Sequence, residues 1–328
     1  MSRPMSRQRS SGDLLADRRY AYAEACLHEG DATGAAEMAE QALERAPRYA
    51  AAWFLLGRAR EALAARDDDP AGHRAALRAY AVALDIDPDD ALGARLHLSR
   101  LGAIDALGAM TPGYVRALFD DYAPRFERHL VHALAYRGPE MLVDALDALP
   151  DAPQVYPEVL DLGCGTGLVG RALDTRAGRI VGCDLSPGML DEARRGGRYA
   201  YLIEADLVRF LADAPPGRAD LVTAADVFIY VGDIRPALCA VARALKPGGI
   251  AAFTVQSPDA DLDASGGGGE VRLGADGRYA QSDAHVEGAA LGAGLTVMVL
   301  RPAAIRRQNG NEVGGRIVLT RKGGIRPR

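Results

Sequence analysis

Asp161-Leu162-Gly163-Cys164-Gly165-Thr166-Gly167 decides how this chain is read. An apolar run over residues 155–160 leads into it, and Leu168-Val169-Gly170-Arg171-Ala172-Leu173 follows. The order is strand, glycine loop, helix. Glycines let the backbone approach a ligand closely and offer main-chain N–H donors. The next apolar run, residues 179–183, ends on Asp184. That is about twenty residues downstream, where an acid can accept from a ribose diol. Together these residues imply a nucleoside-containing cofactor in a doubly wound α/β fold.

The chain beyond the loop repeats the alternation. Residues 199–203, 219–222 and 250–255 read as further strands, and residues 295–300 and 315–320 as two last ones joined across polar Asn309-Gly310-Asn311. Helices are expected over residues 168–174, 187–195, 206–212, 234–245 and 281–291. Strands alternating with helices give a mainly parallel sheet. The expected core is therefore a seven-stranded, doubly wound Rossmann-like domain closed by an antiparallel hairpin.

Gly165, Gly167 and Gly170 also spell G-x-G-x-x-G, the dinucleotide pattern. Asp161 argues against a dinucleotide, because a carboxylate at the loop mouth repels a pyrophosphate. It suits a cationic ligand carrying an ammonium or sulfonium group, directly or through water. S-adenosylmethionine (SAM) is such a ligand, and the run closely resembles the first motif of class I SAM-dependent methyltransferases. The resemblance implies an adenine-binding acid after the third strand, which Asp206 matches. It also implies that Lys246-Pro247-Gly248-Gly249 is a fold signature without chemistry. The expected cofactor set is Asp161, Gly163, Cys164, Gly165, Gly167, Asp184, Leu185, Met189, Asp206 and Leu207.

The 328 residues suit two domains, and 48% hydrophobic residues are ample for cores. A net charge of −5 supplies no basic field for general nucleic-acid binding. Cys26, Cys164, Cys183 and Cys239 are scattered, which fits a reducing compartment, the cytoplasm, and neither a disulfide framework nor a zinc site. Cys164 reads as a small loop residue, with a nucleophile as the alternative. No apolar run reaches the ~18 residues of a membrane span. Residues 1–13 read as a disordered tail.

The front third repeats. Ala35, Ala39, Ala42 and Pro47 recur with identical spacing as Ala76, Tyr80, Ala83 and Pro88. Small residues on one face let a neighbouring helix approach, and proline ends the pair. Trp53-x-x-Leu56-Gly57 has the spacing of the first helix of a tetratricopeptide repeat, and Arg19-x-x-Tyr22-Ala23 is its degenerate counterpart. Residues 66–72 are expected to form a lengthened inter-helix turn. Residues 14–109 are thus expected to form a tetratricopeptide-like helical domain, capped by a helix over residues 91–107. It would recognise a protein partner or substrate, or form a homodimer.

Residues 110–150 are expected to be a helical lid and linker, and residues 151–328 the SAM-binding domain. Tyr114, Phe119, Tyr122 and Phe126 crowd the first part, where Pro124 interrupts the helical pattern. Aromatics suit a sulfonium and exclude water, so Tyr122 or Phe126 is expected against the cofactor. Core packing is the plainer alternative. Arg137 is a further candidate, for an acidic group on cofactor or substrate. The pattern Tyr-x-x-x-Leu-Phe-Asp-x-Tyr-Ala-x-x-Phe, with His129-Leu130 and Leu134-x-Tyr136-Arg137-x-Pro139, resembles bacterial methyltransferases with N-terminal tetratricopeptide repeats. Residues 226–233 and 277–282 are also similar to that family, so the resemblance spans residues 14–322.

Methyl transfer is an in-line displacement that needs positioning and exclusion of water. Candidates to take a proton are Asp226 and Tyr230 after the fourth strand, and Tyr279 and His285 after the fifth. Each has a plain structural alternative, and proximity alone can suffice. After the fourth strand no Asn/Asp-Pro-Pro-Tyr/Phe occurs, nor is there a cytosine-C5 nucleophile or a metal-binding carboxylate trio. The expected activity is methyl transfer to an oxygen or amine of a small metabolite, carrier-bound acid or peptide. The alternatives are a protein-binding scaffold with a SAM-sensing or relic site, and an RNA methyltransferase using Arg301, Arg306 and Arg307.

Overall fold

The structure, a computed structural model, describes residues 10–123, 126, 136–258, 270–274, 276–308 and 311–324. His129, Leu130, Leu134 and the Asn309-Gly310 turn lie outside them. The chain forms two compact units, Met1–Tyr114 and Val115–Arg328.

The first unit is helical. Asp13 caps α1 (Leu14–His28) and Asp31 caps α2 (Ala32–Arg45), each accepting from main-chain N–H groups of the first turn. α3 (Ala50–Asp67) and α4 (Pro70–Ile86) repeat the pair, and α5 (Ala94–Arg100) follows. Ala35, Ala39, Ala42, Ala76, Tyr80 and Ala83 are buried, as their spacing required. Residues 66–72 do not form the expected long turn. α3 runs on to Asp67, Asp68 ends it in the left-handed region, and Asp69 and Pro70 start α4. The extra residues lengthen the two helices instead.

Tyr80 stands where the first copy has alanine, and Gly57 makes room for it. A Cβ at residue 57 would lie 2.7 Å from the Tyr80 ring. The buried hydroxyl is held by Glu61 and His97, at 2.5 and 3.0 Å. A cleft of about 460 Å³ opens among α2, α3 and α4, lined by Leu43, Trp53, Leu56 and Val82 with Glu40 and Arg60.

The second unit is built on a nine-stranded sheet. After α6 (Pro112–Tyr122) and α7 (Gly138–Asp147) come β1 (Tyr156–Leu162), α8 (Leu168–Leu173), β2 (Ala177–Asp184), α9 (Pro187–Gly196), β3 (Tyr201–Glu204) and α10 (Leu207–Asp213). β4 (Ala219–Ala224), α11 (Arg235–Ala244) and β5 (Leu245–Gln256) continue the alternation. The order β3-β2-β1-β4-β5 is parallel throughout. β8 (Leu295–Gln308) and β9 (Asn311–Lys322) form the antiparallel closing hairpin, with β9 paired to β5.

Two short strands were not expected. β6 (Val271–Leu273) and β7 (Tyr279–Gln281) form a small hairpin, and β7 meets only the last residue of β5. The last helix, α12 (Asp283–Gly292), therefore starts after Gln281, capped by Ser282. Along the central strands alternate residues face opposite layers. Leu160, Leu162, Val222 and Phe253 pack towards α10, α11 and α12, whereas Val159, Ile180, Leu221 and Ala252 pack towards α7 and α8. Both faces being covered explains the near-continuous apolar runs.

Candidate functional site

Three carboxylates stand at the carboxyl ends of adjacent strands: Asp161 on β1, Asp184 on β2 and Asp226 just past β4. Ligands of open α/β sheets bind outside this edge. The glycine loop crosses it, with Gly163, Gly165 and Gly167 all at positive φ. Cys164 N–H donates to the Cys183 carbonyl at 2.9 Å, which pins the loop to β2.

Each glycine has its own reason. A Cβ at Gly163 would lie 2.7 Å from Val227, so this residue lets the segment after β4 close onto the loop. A Cβ at Gly167 or Gly170 would strike the Tyr199 ring at 3.0 or 2.8 Å. A Cβ at Gly165 would meet only Phe126, at 4.0 Å. Among the described residues, Gly165 is thus the loop glycine whose added side chain would meet the least protein, and it is the cradle that a side chain would fill.

Asp161 is fully buried. It accepts from the Tyr199 hydroxyl and from Thr223 Oγ1, both at 2.7 Å. Burial pushes its carboxyl up to about 6, against the pull of those two hydrogen bonds. Asp161, expected to act on a cation directly or through water, is thus buried with both carboxylate oxygens hydrogen-bonded within the protein.

Asp184 matches its expected place more closely. Its Oδ2 accepts from Gly165 N–H and its Oδ1 from Ser186 N–H, each at 2.9 Å. One lone pair on each oxygen then remains to suit a pair of hydroxyls. Burial raises its carboxyl, and the main-chain N–H groups of Ser186, Gly165 and Leu185 oppose that. Leu185 is half-buried beside it, and Met189 is buried. Asp206 caps α10 through Oδ1, at 2.9 Å from Val208 N and 3.2 Å from Arg209 N. Its Oδ2 takes no hydrogen bond among the described residues. Leu207 is half-buried next to it.

The segment around α6 reaches this edge. Asp120 Oδ1 accepts from Ser186 Oγ at 2.5 Å and from Gly188 N–H at 3.3 Å, at the start of α9. Arg116 pairs with Glu204 at the end of β3, at 2.8 Å. Rings run edge to face from Tyr122 to Phe126 (5.4 Å), Phe126 to Phe119 (6.1 Å) and Phe119 to Tyr230 (5.2 Å). Of the two rings expected near the cofactor, Phe126 is the one beside Gly165. Arg137 is exposed, and its main-chain N–H donates to the Ile305 carbonyl.

The four candidate proton acceptors fare differently. Asp226, held at φ 60° by a bond from its N–H to Thr254 Oγ1, is paired to Arg306 at 3.0 Å. Burial raises its carboxyl and the guanidinium opposes this. Tyr230 shares a hydrogen bond with Arg278, and burial raises its phenol. Tyr279 is fully buried on β7. His285 is buried, with Nδ1 3.2 Å from Glu270. Cys164 is buried and its thiol is raised well above the usual range by burial, the opposite of an activated nucleophile. Arg306, named with Arg301 and Arg307 for an RNA methyltransferase, has a side chain only 2% exposed.

Tyr199, Thr223, Asp120, Arg278 and the Asp226–Arg306 pair were not singled out in the sequence. The surplus glycines at 170 and 182 were the available sign of Tyr199, since both leave space for its ring.

Residues 160–253 match a family model described as a methyltransferase domain. Methyltransferase-like protein 27 of Homo sapiens is 33% identical over 148 residues, 44% of this chain and 58% of that protein. The malonyl-[acyl-carrier protein] O-methyltransferase of Enterobacter lignolyticus is 32% identical over 146 residues, 44% of this chain and 54% of that protein. The matched region thus spans little more than half of either relative. The crystal structure of the [4+2]-cyclase SpnF shares the fold, with a TM-score of 0.50 at 17% identity over 64% of this chain and 96% of that one. Within the Val115–Arg328 unit, residues 160–253 are thus similar to a SAM-dependent methyltransferase domain, a kind of domain whose cofactor is S-adenosylmethionine.

Proposed function

We propose that the chain transfers a methyl group from SAM to an oxygen or amine of a small metabolite, carrier-bound acid or peptide. The observation that carries this is the join between Gly165 and Asp184. A loop N–H closes onto the β2 carboxylate at 2.9 Å, and the space beside Gly165 is bounded by the Phe126 ring. That geometry fits a nucleoside whose ribose hydroxyls face Asp184 and whose methionine end passes Gly165. Asp206 would take the adenine amino group on Oδ2, which accepts no hydrogen bond among the described residues. When bound, SAM supplies an activated methyl group on a sulfonium sulfur. The chain's own residues bind and orient: Asp184 and Asp206 hold the nucleoside, Phe126 and Phe119 exclude water, and the segment after β4 forms the acceptor side. The carrier-bound acid named for the Enterobacter relative is one member of this acceptor class.

The segment around α6, within the expected lid over residues 110–150, acts as a lid in this reading, latched by Asp120. The helical unit, which we read as tetratricopeptide-like, serves partner or substrate recognition or self-association, and sedimentation of the full chain distinguishes these. Calorimetry tests the cofactor assignment. SAM and S-adenosylhomocysteine should bind and NAD(P) should not. Tight NAD binding would sink it.

A further inference from the structure

α1 is apolar on two faces. Its inner face, with Ala16, Tyr20 and Ala23, is buried in one cluster with Ala39 and Ala42 of α2 and Ala52, Leu55 and Leu56 of α3. Its outer face carries Leu14, Leu15, Arg18, Ala21, Tyr22 and Ala25, all exposed. At about 3.6 residues per turn these fall within roughly a third of the helix circumference. Leu14 and Tyr22 are 69% and 62% exposed. With Leu15 they make three of the nine large apolar side chains exposed among the described residues, so the exposure is concentrated on this helix. A helix that is apolar all round is one that a neighbour covers, since a solvent face carries polar residues.

The two ends of the helical unit differ. α5 closes the far end, where Ala94 and Leu98 join one buried cluster with Ala76, Tyr80 and Ala83 of α4. At the near end the outer face of α1 stays exposed. Stacked helix pairs need a terminal face that is polar or covered, and two pairs fall short of the roughly three that such arrays need. A second copy stacked on α1 meets both needs: it doubles the array and leaves an α5 closing each end. The stripe also matches itself. Two copies related by a two-fold axis run antiparallel. With the axis near residue 20, Leu14 meets the partner's Ala25, Leu15 meets the partner's Tyr22, and the two Ala21 residues lie beside the axis. Arg18, the single charged residue of the stripe, then reaches the partner's Tyr22 ring and the side of the partner helix that carries Glu24. Small Ala21 and Ala25 let the helices approach closely.

We propose that the outer face of α1 binds α1 of a second copy of this chain, giving an antiparallel two-fold dimer. This deepens the self-association reading of the helical unit and rests on it. A single helix pair buries less than the ~1,200 Å² of a standard interface, so the dimer is a weak one, with a dissociation constant on the order of 1–100 μM.

Analytical ultracentrifugation of the full chain should show a monomer–dimer equilibrium over that range. Leu15→Glu combined with Tyr22→Glu should weaken the dimer about tenfold or more. Arg18→Glu, which sets a like charge towards Glu24, should weaken it too, and Arg18→Lys should keep it. Helix content and thermal melting should stay as in the parent, since these side chains are exposed. Cross-linking tests the arrangement. In a Cys239→Ser background, Ala21→Cys should form an intermolecular disulfide with oxidised glutathione, and Leu291→Cys, equally exposed but remote from α1 in sequence, should not. A monomer at every concentration refutes self-association altogether. A dimer that is indifferent to the α1 substitutions, or that gives no Ala21→Cys cross-link, leaves self-association standing and overturns the α1 interface. Dimerisation only after removal of residues 1–9 also overturns it, because those residues then occupy the face.

Discussion

The Tyr199 hydroxyl donates to the buried Asp161 carboxylate at 2.7 Å and accepts from the Gly170 N–H at 3.2 Å. Its ring fills the space that Gly167, Gly170 and Gly182 leave open. One side chain therefore braces the loop, the first turn of α8 and the end of β1. Tyr199→Phe strands a buried carboxylate oxygen and should lower stability by roughly 1–3 kcal/mol. Gly170→Ala pushes a methyl into the ring and should cost about 1–3 kcal/mol. Urea unfolding checks both; Gly170→Ala, Tyr199→Leu and the two combined form a double-mutant cycle. Additive losses would show that the ring and the glycine are not coupled.

Asp161 also sets a pH dependence. Its folded carboxyl stands at about 6, above the ordinary 3.8. Between those values the folded state holds the proton and the unfolded state does not. The group's contribution is therefore full below pH ~4 and is lost as pH rises through ~6, by about 3 kcal/mol at most. Asp161→Asn lacks this titration. The variant's stability relative to the parent should increase from pH 4.5 to pH 7.5. A constant difference across that range would show that Asp161 titrates normally.

Asp184 and Gly165 should separate binding from folding. Asp184→Ala removes a charged acceptor and should weaken SAM binding about ten- to a hundredfold, from roughly 1.5–3 kcal/mol. A Cβ at residue 165 meets no described atom nearer than Phe126 at 4.0 Å, so Gly165→Val should abolish SAM binding while the protein stays folded. The positive φ of Gly165 adds only about 1–2 kcal/mol of strain. Calorimetry and thermal melting, run side by side, check both. Unchanged SAM affinity in either variant refutes the assigned role.

The sheet was legible because periodicity and loop chemistry agreed. Strand runs ended on Asp161 and Asp184, and glycine followed the first of them. Asp226 was legible as a position but not as a role. Its partner Arg306 lies 80 residues on, in a strand that reads as polar. A long-range ion pair leaves no local trace. The β6–β7 hairpin escaped notice because each strand has three residues, too few for any alternation to register. Asp67 and Asp68 show a third limit: an acidic run reads as loop, yet one residue extends a helix and the next ends it.

The lid gives the last prediction. Asp120 holds α6 to the start of α9 through Ser186 and Gly188, directly after the Asp184 turn. Any ligand that orders residues 184–188 should therefore order α6 as well. Arg116 and Glu204 add a second tie, but their side chains are 50% and 46% exposed, and such pairs are worth only about 0–1 kcal/mol. Asp120 is thus the latch that matters. In hydrogen exchange on the full chain, amides over residues 118–123 should slow when SAM or S-adenosylhomocysteine binds. Asp120→Ala should erase most of that protection and weaken SAM binding several-fold, through faster dissociation. Arg116→Ala should leave both nearly unchanged. If exchange over residues 118–123 is the same with and without cofactor in the parent protein, the aromatic cluster is core packing, and α6 is not a lid.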